Sequence, residues 1–218
     1  MLLAAGRGER LRPLTDRVPK PLIPIAGEPL IVHQIRWLER AGIRDLVVNL
    51  HHLGDDIEKA LGSGADFRVR IRYSHEETLL ETGGGIVRAL PLLGAAPFVV
   101  LNGDIWTDYD FRTLPTTLAS GDLAHLVLTP TPPHRAEGDF ALAGDRVVRP
   151  DGERPLVYCG IALLDPRLFS GAPEGPFSLR ELFFSACAAG RVHGERFAGT
   201  WTDIGSPAQL KAVRRLTD

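Results

Sequence analysis

The side chains best suited to chemistry are a cluster of cations near the start of the chain and single acids far downstream. The segment Leu3-Ala4-Ala5-Gly6-Arg7-Gly8-Glu9-Arg10-Leu11-Arg12-Pro13-Leu14-Thr15 leaves an apolar run and enters a basic loop. Gly6 and Gly8 let the backbone turn sharply and come close to a ligand. Successive N–H groups in such a turn form a concavity for an anion. An arginine fork matches phosphate oxygens two at a time, which suits Arg7, Arg10 and Arg12 to a phosphate chain. Lys20 stands between Pro19 and Pro21, whose restricted backbones hold its ammonium in one direction.

The acids complement these cations. Asp104 follows the apolar run Phe98–Leu101 in Asn102-Gly103-Asp104, and the end of a buried parallel strand is where α/β sheets place ligands. Asp203 lies in Thr200-Trp201-Thr202-Asp203-Ile204-Gly205. Mg²⁺ is commonly held by one or two carboxylates plus phosphate oxygens, so two aspartates near a phosphate loop suit it. The structural alternatives are a turn aspartate at 104 and a capping aspartate before the helix that opens at Ser206. Two familiar phosphate motifs fail: the third glycine of a dinucleotide fingerprint would fall at Leu11, and no Gly-Lys-Ser/Thr follows.

The elements that must position these residues alternate strand and helix. Ile31, Ile35 and Leu38 predict a helix from Pro29 to Ala41, with Gly42 ending it. Leu46–Leu50, the alternating Val69, Ile71 and Tyr73, and Phe98–Leu101 predict strands. Leu53, Ile57 and Leu61 share a helical face, and a further helix is expected at Ile86–Leu93 after Glu81-Thr82-Gly83-Gly84-Gly85. Downstream, Leu123–Leu128 and Val157–Leu164 read as strands, with a hairpin around Gly144-Asp145 between them. Ser178 and Ser206 each start a helix, the latter with Pro207 in its first turn. The fold class this implies is an α/β/α sandwich of Rossmann-like type with a mixed, mainly parallel sheet, as one domain over residues 1–218. Met1–Gly6 reads as the closing half of a buried strand.

The chain has 218 residues, 44% of them hydrophobic, and a net charge of −2, so no global field favours nucleic acid or an anionic membrane. No apolar stretch approaches the ~20 residues of a membrane span, and the start lacks the pattern of a signal peptide. A cytoplasmic protein is expected, as a monomer or small homo-oligomer. Cys159 and Cys187 have no metal-ligand spacing and are expected to be buried and reduced. Adjacent His51 and His52 suggest no shared metal. Trp37, Trp106 and Trp201 are expected to be packing residues.

The string Leu-Ala-Ala-Gly-x-Gly-x-Arg-x-x-Pro-Leu-Thr followed by Pro19-Lys20-Pro21-Leu22 closely resembles the signature of the sugar nucleotidyltransferases. That resemblance implies transfer of a nucleotidyl group from a nucleoside triphosphate to a sugar 1-phosphate, with release of pyrophosphate. It implies Arg10 on the triphosphate, Lys20 on the reacting phosphates, and Ala5, Gly6, Gly8 and Glu9 in the phosphate loop. It further implies Asp104 and Asp203 on Mg²⁺ and Gly83 against the base, with His75-Glu76 nearby. For the sugar it points to Asn102, Gly138, Asp139, Glu153 and Gly160; Arg154 stands where many members have lysine. Without the C-terminal β-helix of several members, the chain is most similar to N-acetylmuramate-1-phosphate uridylyltransferases, implying UTP as donor. Mannose-1-phosphate guanylyltransferase is the main rival, and glucose-1-phosphate nucleotidyltransferase is a further one. A nucleotide-sugar sensor would have lost the lysine or an aspartate, and a glycosyltransferase would use Asp108-Tyr109-Asp110.

Overall fold

Strand β1 (Leu2–Leu3) precedes the basic loop, and a small hairpin of β2 (Pro24–Ile25) and β3 (Glu28–Pro29) follows it. Helix α1 (Leu30–Arg40) buries Ile31, Ile35 and Leu38 on one face, as their spacing requires. It stops at Gly42, whose φ is +82°. There the Gly42 N–H donates to the Glu39 carbonyl and the Ile43 N–H to that of Leu38, the bond pair of a glycine-terminated helix. The first half continues through β4 (Asp45–Leu50), α2 (Gly54–Leu61), β5 (Arg70–His75), α3 (Glu81–Leu93), β6 (Phe98–Asn102) and β7 (Ile105–Thr107). The second half holds β8 (Ala124–Pro130), β9 (Ala141–Ala143), β10 (Arg146–Val148), β11 (Leu156–Leu164) and α4 (Leu179–Ala188). It closes with β12 (Val192–Arg196), β13 (Trp201–Asp203) and α5 (Pro207–Thr217). The computed structural model describes residues 1–217 apart from 133–134, 136 and 151–154.

Nine strands form one sheet in the order β5-β4-β1-β6-β11-β8-β12-β10-β9. Only β10 and β11 run against the rest; each is antiparallel to both of its neighbours, and every other pairing is parallel. Because side chains alternate across a strand, both faces of the sheet are apolar. Val47 of β4 and Val100 of β6 face a core shared with α3 and α4, which contribute Ile86 and Phe183. Val48 and Leu101 face a second core with Ile35 of α1 and Ile57 of α2. The result is a sheet between two helical layers, the sandwich expected from the alternation.

A separate two-stranded ribbon pairs β7 with β13, setting Asp203 opposite Ile105. Neither strand was anticipated, nor was β12, because three to five residues carry too little periodicity to read. Helix α3 also begins at Glu81 rather than Ile86, so the three glycines belong to its first turns. Glycine is a poor helix former, and tertiary packing overrides that preference here. A Cβ at Gly83 would stand 2.2 Å from the Phe177 ring, one at Gly84 2.3 Å from the Gly175 carbonyl oxygen, and one at Gly85 2.6 Å from the Glu76 carboxylate. Protein neighbours therefore supply the close approach that the glycines permit.

Candidate active site

β1 and β6 end side by side, and their carboxyl ends open into three adjoining cavities. The central one, about 360 Å³, is lined by Ala5, Gly6, Lys20, Asn102, Asp104 and Thr82 among others. An outer cavity of about 370 Å³ shares Lys20 with it and is walled by Arg7, Gly8, Glu9, Arg10 and Gly205. A third, about 290 Å³, shares Thr82, Asn102 and Ser178 with the central one and adds Arg135, Asp139, Tyr158 and Arg180. The expected phosphate loop and several expected sugar residues thus line one continuous cleft.

At its centre Lys20 Nζ donates to Asp104 Oδ2 at 2.6 Å. The turn that presents Asp104 is held from several sides. Gln34, fully buried on α1, donates through Nε2 to the carbonyls of Asn102 and Ile105, both at 3.0 Å. The Gly103 N–H donates to Leu3, and the Asp104 carbonyl accepts from the Ile204 N–H at 2.7 Å. That last bond, with the β7–β13 pairing, brings Asp203 beside Asp104 although they are far apart in sequence. The Asp203 carboxylate accepts from Gln209 Nε2 at 2.6 Å and lies 3.7 Å from Arg135.

Polar residues inside the core shape the rest of the cleft. Asn49, 2% exposed at the end of β4, accepts from the Ala4 N–H at 2.8 Å and donates to Glu76 at 2.7 Å. Glu76 in turn accepts from the Leu80 N–H at 3.0 Å, joining the phosphate-loop strand to the start of α3. Thr82 accepts from the Leu179 N–H at 2.9 Å, so the N-termini of α3 and α4 meet at the cleft. Helix N-termini carry partial positive charge and favour anions. In the loop, Gly8 adopts φ +62°, and a Cβ there would press on Thr15 at 2.8 Å. The Arg10 guanidinium lies against Gly205, where a Cβ would stand 2.4 Å from Nη2.

Not every expected residue lines the cleft. Gly83 packs against Phe177, while its neighbours Glu81 and Thr82 line the central cavity. Gly138 packs on Pro155 and the Leu156 carbonyl, which sets up its neighbour Asp139. Gly160, at φ +77°, makes room for Asn102, since a Cβ there would stand 2.9 Å from its side chain. Glu153 and Arg154 lie outside the described residues. Gln34, Asn49 and Thr82 were missed, though a polar residue inside an apolar strand or helix face was a readable signal for the first two. Asp108 is engaged by the Thr200 N–H and Asp110 by Arg112, so both carboxylates of the Asp-x-Asp string serve local structure. His51 and His52 bond the Glu76 and Thr15 carbonyls. Trp106 packs edge-on against Trp37, and Trp201 donates to the Cys159 carbonyl.

Among the described residues no cluster of three or more His, Cys, Asp or Glu could hold a metal by protein ligands alone. The Asp104–Asp203 pair, with a cavity beside it, fits a cation that draws its remaining ligands from substrate and water. No helix is long and apolar enough to cross a membrane, among the described residues.

Comparison with known proteins gives a concordant picture. A provisionally named glucose-1-phosphate thymidylyltransferase from Bacillus anthracis shares the fold, with a TM-score of 0.86 at 23% identity over 99% of this chain and 93% of that one. HddC from Yersinia pseudotuberculosis complexed with GMP-PN superposes with a TM-score of 0.81 at 20% identity, over 100% and 98%. An N-acetylmuramate alpha-1-phosphate uridylyltransferase from Neisseria meningitidis serogroup B is 44% identical, over 99% of this chain and 96% of that protein. A mannose-1-phosphate guanyltransferase from Aspergillus fumigatus is 33% identical, over 95% of this chain but 60% of that protein. The nucleotidyl transferase family profile matches residues 1–142, and with these relatives it establishes that the chain belongs to the nucleotidyl transferase family.

Proposed function

We propose that this protein transfers UMP from UTP to a sugar 1-phosphate, N-acetylmuramate 1-phosphate before others, yielding the UDP-sugar and pyrophosphate. The observation that carries this reading is the Lys20–Asp104 pair at 2.6 Å on the floor of a cleft that continues into a basic loop on one side and a polar pocket on the other. The choice of sugar and base rests on the 44% identity to the Neisseria uridylyltransferase over nearly the whole of both chains. Residues 1–218 act as one domain in this reading.

The attacking oxygen belongs to the sugar phosphate, already ionised near neutral pH, so no protein base is required. The obstacle is repulsion between two anions, and catalysis consists of positioning and charge compensation. Backbone N–H groups from Ala5 to Glu9 cradle the triphosphate, and Arg10 steadies the departing pyrophosphate. Lys20 offsets charge on the α-phosphate. Asp104 and Asp203 would hold Mg²⁺, which supplies Lewis-acid neutralisation of phosphate charge. Asn102 and Asp139 face the sugar, with Gly138, Gly160 and Glu153 in the same region of the chain.

The test is pyrophosphate release with UTP, GTP, ATP and dTTP against N-acetylmuramate, N-acetylglucosamine, glucose and mannose 1-phosphates. UTP with N-acetylmuramate 1-phosphate should give the highest kcat/KM, EDTA should abolish it, and Mg²⁺ should restore it. Lys20→Ala and Asp104→Ala should fold and lose roughly 10²–10³-fold in kcat, the scale of removing a preorganised charge-stabilising group. Wild-type turnover in either variant, or a preference for GTP with mannose 1-phosphate, overturns the reading.

A further inference from the structure

The third cavity carries charge that the transfer chemistry leaves unused. Among the described residues its wall holds two guanidinium groups, Arg135 and Arg180, against a single carboxylate, Asp139. Arg180 pairs with Asp139 at 2.6 Å and lies 4.9 Å from the centre of the Phe184 ring, which fixes the direction of its fork while leaving donors available. Arg135 lies 3.7 Å from Asp203, the carboxylate assigned above to Mg²⁺, so metal binding would withdraw its acid partner. Behind them the Tyr158 hydroxyl is buried with no hydrogen-bond partner among the described residues. Burial pushes that hydroxyl's pKa up, so it stays protonated and able to donate. Counted over the described residues, this polar cavity has donors and positive charge in excess of its acceptors, an arrangement that an anionic ligand would complete. It opens to the central cavity through Thr82, Asn102 and Ser178, within the cleft where the sugar would sit.

We propose that Arg180 and Arg135 form a recognition site for a carboxylate carried by the sugar itself, separate from its phosphate, and so select acidic sugar 1-phosphates over neutral ones. This rests on the sugar-1-phosphate reading above and deepens it. N-acetylmuramate fits the requirement chemically, because it differs from N-acetylglucosamine only by an ether-linked lactyl group with one carboxylate.

The two sugar 1-phosphates share the phosphate, the ring and the N-acetyl group, so the ratio of their kcat/KM values isolates the carboxylate. In Arg180→Leu and Arg135→Leu this ratio, muramate over glucosamine, should fall roughly 10–100-fold per variant, the scale of one lost charge-assisted hydrogen bond, mainly through the KM of the acidic sugar. Arg180→Lys keeps the charge but not the fork and should fall in between. The double variant Arg180→Leu/Asp139→Asn removes the ion pair without stranding a bare carboxylate and should show the same loss of preference. A wild-type preference that survives within twofold in both leucine variants and in the double variant overturns this inference alone. A wild-type enzyme without preference for the acidic sugar overturns it together with the muramate reading. Equal falls for both sugars also overturn it, since they would mark a structural role.

Discussion

Gln34 makes the sharpest case for separating stability from activity. Its amide bridges the carbonyls of Asn102 and Ile105, so it clamps the turn that presents Asp104 without touching a substrate. Replacing it with leucine keeps the volume and removes two bonds, worth about 1 kcal/mol each. The loss has an offset, because the Gln34 Oε1 is itself buried without a partner among the described residues. Removing such an orphan recovers about 1–3 kcal/mol. Opposing contributions of similar size leave a net change within about 2 kcal/mol, or roughly 4–8 °C in Tm for a chain of this length. Activity has no such offset, since among the described residues no other hydrogen bond from α1 reaches that turn. Mg²⁺ affinity should weaken at least about tenfold, as when groups supporting a metal ligand are removed. Thermal melts paired with initial rates of pyrophosphate release across a Mg²⁺ titration measure both effects. A Gln34→Leu protein with an unchanged Mg²⁺ half-saturation and unchanged kcat would refute the clamp. Restoration of the profile by added Mg²⁺, with kcat recovering at saturation, would support it.

Other consequences follow from particular contacts. Gly84→Ala places a methyl 2.3 Å from the Gly175 carbonyl oxygen, a backbone atom that cannot step aside cheaply; it should cost about 1–3 kcal/mol despite alanine's better helix propensity, read as a lower Tm. Burial raises the pKa of Cys187 to about 11 and that of Cys159 further. Both thiols should resist maleimide at pH 7–8 in the folded protein and react once it is unfolded; rapid labelling of the native state would contradict their placement. His125, whose ring nitrogen lies 3.7 Å from the carboxylate, and then the hydrogen bond from the Tyr109 hydroxyl hold Glu195 below its ordinary value of 4.5 against the opposing effect of burial. Its stabilising contribution is therefore present above about pH 4.5 and is lost as pH falls through the lower folded value. Glu195→Gln should flatten the acid limb of the stability curve measured by denaturant melts, and an unaltered limb would refute the linkage.

Much of this molecule was legible in one dimension. The Gly6–Gly8 loop, Arg10 and Lys20 between its prolines are local features, and local backbone chemistry dictates what they can bind. The amphipathic run of α1, its stop at Gly42 and the apolar strands β4 and β6 follow from periodicities of 3.6 and 2, which need no partner to be read. What tertiary structure decided is who meets whom. Asp203 stands beside Asp104 only because three-residue β13 pairs with three-residue β7, elements too short to leave a periodic trace. Gln34 is, in sequence, one polar residue within a predicted helix, and only the fold shows it holding the Asp104 turn. The glycines at 83–85 announced a close approach, but sequence could not say that Phe177, Gly175 and Glu76 pack where their side chains would have been. Arg135 and Asp139 share the loop after β8 while Arg180 opens α4, and their common cavity exists only after the fold has brought that loop and the start of α4 together. Spacing along the chain sets local conformation, whereas a binding site is a set of long-range distances, and those are settled when the core packs.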